Sequence, residues 1–458
     1  MYDTDTVAAV STPAGTGGIS VIRISGKDAL RIADRVFESP KGKKLINAKT
    51  YTITYGYAVR SDKSVIDEVL ASVMKAPKSY TGEDVVEISC HGGVIGTREI
   101  LSEILGCGAR HAEAGEFTKR AFLNGKIDLC KAESVIDIIN ATSESSHNIS
   151  VNQLRGSLSR SINAIRGNLL SLIAHLQVLI DFADEELEPL SDAEFNDGMR
   201  NSIAEIDRLL DTASSGIIAR EGIKTAIVGK PNVGKSSLLN LLCGDERAIV
   251  TDVEGTTRDS IEEKVTLGNV TLRLSDTAGI RSTNDIVESI GVEKSKDILE
   301  SSDLVIYMTD ASAKLDDNDI FILEKIKDKN SIALLNKSEK GIATEIDIIK
   351  KYVGKIIEFS VKEKIGLDEL SDTIEKMFEI GKICKSDDAV VVNVRHRDAL
   401  AKARKSLYDA LSAIENGIPA NITYIDIENA ISCLGEITGQ TVGEEIVDRI
   451  FHNFCVGK

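Results

Sequence analysis

Hydrophobic positions along this chain change their period three times, and the changes divide it. Over residues 3–114 they fall in short runs, predicting strands at 7–10, 19–25, 50–59, 65–74 and 85–89. Two helical stretches, 27–37 and 94–105, interrupt them, which makes this an α+β domain. From about Glu116 the period becomes helical. Val151, Leu154, Leu158, Ile162, Ile165, Leu169, Leu172, Leu176 and Leu179 advance by threes and fours, predicting one long amphipathic helix. An acidic run, Asp181, Asp184, Glu185, Glu186 and Glu188, reads as its solvated end. A second helix is expected from Ala193 to about Ser214.

Strand and helix patterns then alternate. Apolar runs at 225–228, 270–274, 304–308, 332–335 and 356–359 predict a doubly wound parallel sheet with its ligand at the strand C-termini. Gly268-Asn269 sits between two of the strands as a hairpin turn. Helical periodicity returns at 397–416, 424–434 and 442–453. Helices on both sides of an α/β region predict a discontinuous helical domain with a Ras-like G domain grafted into it. The expected boundaries are 1–116, 117–216, 217–381 and 382–458.

The candidate chemistry centres on Gly229-Lys230-Pro231-Asn232-Val233-Gly234-Lys235-Ser236-Ser237, between an apolar strand and an apolar helix. That is the context of a phosphate-binding loop, whose backbone N–H groups and helix N-terminus form a nest for anionic charge. Lys235 would reach the outer phosphates and Ser236 would hold Mg²⁺. Downstream, Thr251-Asp252-Val253-Glu254-Gly255-Thr256-Thr257 offers Thr257 as a second hydroxyl for Mg²⁺. Asp276-Thr277-Ala278-Gly279 follows a strand, placing a carboxylate for metal-bound water and a glycine for a γ-phosphate. Asn336-Lys337-Ser338-Glu339 resembles the guanine-reading motif of GTPases with Glu339 in place of the usual Asp, and Ser360-Val361-Lys362 closes the set. Ile280 stands where many small GTPases place a water-orienting glutamine. Either hydrolysis is poor or another group positions the water, the candidates being Arg281, Asp285 and Glu288. The carbonyl of Asn232 can help ligate a monovalent cation beside the phosphates.

Bulk properties narrow the class. A length of 458 residues suggests roughly three domains. The formal net charge of -17 argues against general electrostatic capture of nucleic acid or anionic membrane. With no apolar run of membrane-spanning length and seven cysteines without paired spacing, the chain reads as soluble, cytoplasmic and reduced.

Further stretches point to one family. They are Arg23-Ile24-Ser25-Gly26, Tyr80-Thr81-Gly82-Glu83-Asp84-Val85-Val86-Glu87, Cys90-His91-Gly92-Gly93, Gly115-Glu116-Phe117-Thr118-Lys119-Arg120-Ala121-Phe122-Leu123-Asn124, Asn393-Val394-Arg395-His396-Arg397 and Phe454-Cys455-Val456-Gly457-Lys458. Together with the phosphate loop they resemble the tRNA-modification GTPase MnmE (TrmE) family over essentially the whole chain. The resemblance implies an N-terminal folate-binding and dimerising domain, a helical domain and an inserted G domain. It implies a homodimer working with the flavoprotein MnmG (GidA), which carries FAD and uses NADH, in a heterotetramer. The pair would add an aminomethyl-type group, aminomethyl or carboxymethylaminomethyl, to carbon 5 of the wobble uridine of tRNA. The one-carbon unit would come from 5-formyl- or 5,10-methylene-tetrahydrofolate.

The resemblance also assigns residues. Arg23, Glu87, Lys126 and Lys458 match the folate site. Asn232, with the backbone around Thr251, Val253 and Thr256, would hold K⁺; Ser236 and Thr257 would hold Mg²⁺. Glu288 would orient water indirectly. Glu339 departs from the family pattern, as does Thr16 where an arginine is common. Cys455 lies near Arg449, His452 and Lys458, and nearby positive charge favours a reactive thiolate. Its expected role is chemical or substrate-positioning; the alternative is a small buried residue at a helix end. The competing reading of the whole chain is a regulatory GTPase that binds the ribosome or its precursors, and reduced-folate binding would discriminate.

Overall fold

A computed structural model describes residues 5–181, 192–244, 263–274, 299–383, 388–419 and 422–458. The chain divides into two compact units, Met1–Ile136 with Ile431–Lys458, and Asp137–Ala430.

The first unit is built on a seven-stranded sheet. Its elements are β1 (Val7–Val10), β2 (Ile19–Ser25), α1 (Ala29–Val36), β3 (Phe37–Glu38), β4 (Thr52–Val59), β5 (Val65–Met74), β6 (Val85–His91), α2 (Val94–Gly106), β7 (Arg110–His111) and α3 (Glu116–Leu123). Strands lie in the order β3-β4-β5-β6-β2-β1-β7, all neighbours antiparallel except β1 and β7. The alternation of side chains explains its two faces. Val86, Ile88 and Cys90 of β6 join Ile22, Ile24, Val69, Ala71 and Val73 in a core covered by Ile32 and Ala33 of α1 and Ile100 and Ile104 of α2. Arg23 and Glu87, directly opposite each other in the β2–β6 register, point to the other face. Part of that face is sealed by a small core of Val7, Ala9, Ala112 and Phe117, with Tyr80 packed against it. Helix α4 (Leu129–Asn140) follows α3.

The periodic stretch from Val151 to Leu179 is two helices, not one: α5 (Glu144–Leu154) and α6 (Ser157–Asp181). Gly156 lies between them at φ 84°, a left-handed conformation that ends a helix and that only glycine adopts without strain. After the break Leu158, Ile162, Ile165, Leu169 and Leu172 are buried, whereas before it Val151 is half-buried and Leu154 exposed, α5 burying Ile149 instead. The expected second helix is also two, α7 (Asp192–Asp211) and α8 (Ala213–Glu221).

The second unit holds a six-stranded sheet: β8 (Ile223–Val228), β9 (Glu263–Leu267), β10 (Val270–Leu274), β11 (Leu304–Asp310), β12 (Ser331–Asn336) and β13 (Lys355–Glu358), in the order β13-β12-β11-β8-β10-β9. All pairs are parallel except the β9–β10 hairpin, which turns at Gly268-Asn269 as its sequence predicts. Leu304, Ile306 and Met308 of β11 enter one core, and Val305 and Tyr307 the other. Burial on both faces is why these strands read as continuous apolar runs. The unit's helices among the described residues include α9 (Lys235–Gly244), α10 (Asp317–Ile326), α11 (Ile346–Ile349), α12 (Leu367–Met377) and α13 (Ile380–Ile383). After them come α14 (Val394–Glu415), α15 (Tyr424–Thr438) and α16 (Glu444–His452). Helix α14 starts three residues earlier than its apolar pattern suggests because the Asn393 side chain caps it, accepting from Arg395 N at 2.9 Å.

Gly156→Ala should destabilise the protein by about 1 kcal/mol, the cost of a Cβ in the left-handed region. Urea unfolding measures this. Stabilisation instead would mean that residues 151–179 run as one helix, in which alanine outranks glycine.

Candidate functional site

Strand β8 delivers the chain to a loop whose backbone is set by close approaches. Gly229 has φ 149°, and a Cβ there would collide with the Met308 carbonyl of neighbouring β11. Gly234, at φ 110°, leaves no room for a Cβ beside the Asn336 amide. Asn232 lies between them at φ 63°. The loop therefore curls around the sheet edge and enters α9 at Lys235, with the helix N-terminus facing the curl. Ser236 and Ser237 open that helix and are exposed. The Lys235 ammonium lies within the curl, donating to the carbonyls of Gly229 and Lys230 at 2.6 Å each. Its burial holds the pKa below the usual lysine range.

Asn336, at the end of β12, joins three segments. It is 4% exposed. Its amide donates to the Val233 carbonyl at 2.7 Å, and its Oδ1 accepts from Val361 N at 3.1 Å. Both polar ends of the carboxamide are thus satisfied, one by the phosphate loop and one by the loop after β13. Lys337, at φ 63°, extends this joint by donating to Asp310 at 2.7 Å and to the Asn232 carbonyl at 3.3 Å. Burial would raise the Asp310 pKa, but hydrogen bonds from Lys337 and Ser312 hold the carboxyl down at about 2. Glu339 is exposed, and a hydrogen bond from Ser360 lowers its pKa. Lys362 neighbours Val361 and lies 3.5 Å from Glu363. The structure therefore gathers Asn232, Val233, Gly234, Lys235, Asn336, Lys337, Glu339, Ser360 and Val361 at the C-terminal edge of one parallel sheet.

Two anchors of this loop lack a sequence signal. Lys230 reaches α10, 2.6 Å from Asp319 and 2.9 Å from Asp316. Asp319 is fully buried and also accepts from the Tyr307 hydroxyl at 2.8 Å. The second is Asp310, the partner of Lys337. Thr251, Asp252, Val253, Glu254, Gly255, Thr256, Thr257, Asp276, Thr277, Ala278, Gly279, Arg281 and Glu288 lie outside the described residues.

In the first unit Arg23 forms a cross-strand pair with Glu87, Nε and Nη2 each 2.8 Å from Oε1. The guanidinium lies over the rings of both Tyr80 and Phe117, its carbon 5.4 Å from each centroid. Its Nη1 also donates to the Gly457 carbonyl at 3.3 Å. The C-terminal tail is seated by backbone contacts: Ser11 Oγ donates to the same carbonyl, Gly115 N donates to the Cys455 carbonyl, and Val456 bridges to Ala114. A Cβ on Gly457 would collide with the Val10 carbonyl. This brings Lys458 into the neighbourhood of Arg23 and Glu87. Cys455 is exposed, which removes the reading of it as a buried helix-end residue. Lys126 is exposed too and donates to the Pro77 carbonyl at 2.9 Å. The two stacking rings, Tyr80 and Phe117, belong to recognised motifs, but no sequence spacing reveals that they both approach one guanidinium.

Two family models match the chain: the MnmE helical domain over residues 129–455 and the N-terminus of GTP-binding protein TrmE over residues 6–126. Among similar proteins, the tRNA modification GTPase MnmE of Clostridioides difficile strain 630 is 50% identical over 460 residues, covering 100% of both chains. The protein of that name from Alkaliphilus oremlandii is 47% identical, again covering 100% of both.

Replacing Asn336 by Ala would orphan the Val233 carbonyl and the Val361 N–H. An unpaired buried group costs about 1–3 kcal/mol, so GDP affinity should fall by roughly tenfold or more. Calorimetric titration with GDP tests this; unchanged affinity would show that the joint does not support nucleotide binding.

Proposed function

This chain belongs to the MnmE family, and from that premise we propose that it is a tRNA-modification GTPase that works with the flavoprotein MnmG and a reduced folate. The observation that carries this reading is that one chain holds both an Asn336-pinned phosphate loop and an Arg23–Glu87 pair roofed by its own C-terminal tail. A purely regulatory GTPase has no use for the second. No described helix is long and apolar enough to cross a membrane.

GTP enters with its phosphates in the curl of residues 229–235. The N–H groups of the loop and the N-terminus of α9 face the phosphate oxygens, and Lys235 exchanges its carbonyl partners for them. The Glu339 carboxylate, hydrogen-bonded to Ser360, accepts from the donor edge of guanine. Ser236 and Thr257 would hold Mg²⁺, and Asn232 with the backbone of Thr251, Val253 and Thr256 would hold K⁺. Both ions supply positive charge to the phosphates. Two G domains associate across their phosphates during turnover. Ile280 cannot orient water, so Glu288 takes that role indirectly, with Arg281 as the second candidate. In the N-terminal domain the donor set fits a reduced folate: Arg23, Lys126 and Lys458 suit its carboxylates and carbonyls, and Glu87 the donor edge of the pterin. A folate bound there supplies the one-carbon unit for carbon 5 of the wobble uridine, while FAD and NADH belong to the partner. The four-part division at 116, 216 and 381 accompanies this reading, with the protein a homodimer through its N-terminal domain.

Glu288→Gln should lower kcat for GTP by roughly 10²-fold, the scale of a water-orienting group, and leave GDP affinity unchanged because the role arises in the transition state. Replacing K⁺ with Na⁺ should slow the wild-type enzyme as well. Full turnover in Na⁺ by dilute protein would contradict the cation and dimer requirement.

Cys455→Ser changes one atom and should spare folding, nucleotide binding and GTPase rate. Wobble-uridine modification, assayed with the flavoprotein on tRNA, should fall sharply. Full modification by the variant would remove Cys455 from the chemistry.

A further inference from the structure

Arg120 is 7% exposed and belongs to none of the ligand sets above. Its guanidinium donates to the Asp5 carbonyl at 2.9 Å and the Asp5 carboxylate at 2.8 Å. It donates to Glu116 at 2.9 and 3.3 Å, and to both oxygens of Glu83 at 3.3 and 3.2 Å. Arg110 approaches the same cluster from the other side, 2.6 Å from Asp5 and 2.7 Å from Glu116. Among the described residues, Arg120 is the one of the two that bonds Glu83. Burial opposes ionisation of Glu116, yet hydrogen bonds from Arg110, Glu113 N and Arg120 hold its pKa below the usual range. The cluster therefore stays charged and directional, its buried members Arg120 and Glu116 paired with the partly exposed Asp5 and Arg110.

Glu83 lies at the end of the turn that presents Tyr80. Its Oε2 accepts from Ser25 Oγ at 2.8 Å, and Ser25 in turn lies 2.7 Å from the Thr81 hydroxyl. Its own backbone carbonyl accepts from Ser79 Oγ, and its N–H donates to Thr81 Oγ1 at 3.2 Å. Gly82, at φ 82°, makes the bend. The turn is short and outside any strand; Glu83 closes it through its backbone carbonyl and N–H, and its carboxylate ties it to Ser25 and Arg120. Helix α3 grips it at two further points. Thr118 pairs with the Tyr80 hydroxyl at 2.8 Å, and Asn124, just after the helix, donates to the Thr81 carbonyl at 2.8 Å. The same helix places the Phe117 ring 5.4 Å from the Arg23 guanidinium carbon.

We propose that Arg120, acting through Glu83, is a positioning residue for the pocket around Arg23: it fixes the turn of residues 79–83 and so holds the Tyr80 wall against the guanidinium. The two rings restrict a guanidinium that Glu87 and the Gly457 carbonyl also hold, so the N–H groups it presents to a ligand keep their direction. If the turn loosens, Tyr80 leaves, Arg23 regains rotamer freedom, and binding must restore that order at a cost in affinity. The identity of the ligand rests on the reduced-folate reading; the positioning itself does not.

The test uses the full-length protein and two substitutions. Glu83→Gln is isosteric and removes the charge that Arg120 holds. Arg110→Lys perturbs the same buried cluster without touching Glu83 and serves as the structural control. Binding of 5-formyltetrahydrofolate is measured by calorimetry, amide hydrogen exchange is followed across residues 79–83, and thermal midpoints and GDP affinity are recorded alongside. Glu83→Gln should weaken folate binding roughly tenfold, the scale of one charge-assisted hydrogen bond, and speed exchange in the turn. Arg110→Lys should lower the thermal midpoint about as much as Glu83→Gln does while leaving folate binding and exchange in the turn at wild-type values. GDP affinity should be unchanged in both. Wild-type exchange in the turn of Glu83→Gln, or equal loss of folate binding in the two variants, would overturn the proposal. Failure of the wild-type protein to bind 5-formyltetrahydrofolate would overturn the folate reading, and the exchange comparison would still decide the positioning role.

Discussion

Ligand-binding loops cannot satisfy their own backbone groups, so something buried must hold them, and in the second unit that something is Asn336. One carboxamide has a donor and an acceptor end, and here each end fastens a different loop. Gly234 must be glycine for the amide to come so close. Lys337 then ties Asp310 and the Asn232 carbonyl into the same joint. The phosphate loop inherits its shape from these contacts. Because an unmade bond in so dry a place costs more than a made one contributes, the loop has one stable arrangement rather than several.

The first unit solves the same problem with charge. A turn around Tyr80 is held by Arg120 through Glu83, and the pocket cation Arg23 is held by Glu87 and two rings. Arginine suits both positions because its planar fork meets several acceptors at once and stacks on aromatic faces. These groups also show how a chain of net charge -17 supports anion-binding chemistry. Long-range repulsion is outweighed locally, where a cation lies within hydrogen-bond distance of its target in a partly dry setting. The acidic excess is largely spread over solvent, where screening weakens it.

Much of this was legible in the residue order. Strands β1, β2, β4, β5 and β6 and helices α1 and α2 follow the apolar pattern to within a few residues. The β9–β10 hairpin and the strand–loop–helix around Lys235 are also where their local signals put them. The failures have a common form. Residues 151–179 keep an apolar period in sequence across Gly156, yet Val151 is half-buried and Leu154 exposed while Leu158 to Leu172 are buried. Periodicity reports neither the break nor which side of it the core takes. The start of α14 was missed because a cap is polar and lies before the apolar pattern.

What the sequence determined by itself was whatever depends on neighbours in the chain: the period of each element, the glycine positions that a phosphate loop needs, and motifs dense enough to mark a family. Tertiary structure decided the partnerships between residues far apart. Nothing local says that Lys230 will meet Asp319, that Tyr80 and Phe117 will both approach Arg23, or that the Gly457 carbonyl will return to Ser11 and Arg23. The physical reason is that a buried polar group is indifferent to sequence separation. It takes whichever partner the packing of strands and helices brings within about 3 Å, and that packing is a property of the whole fold.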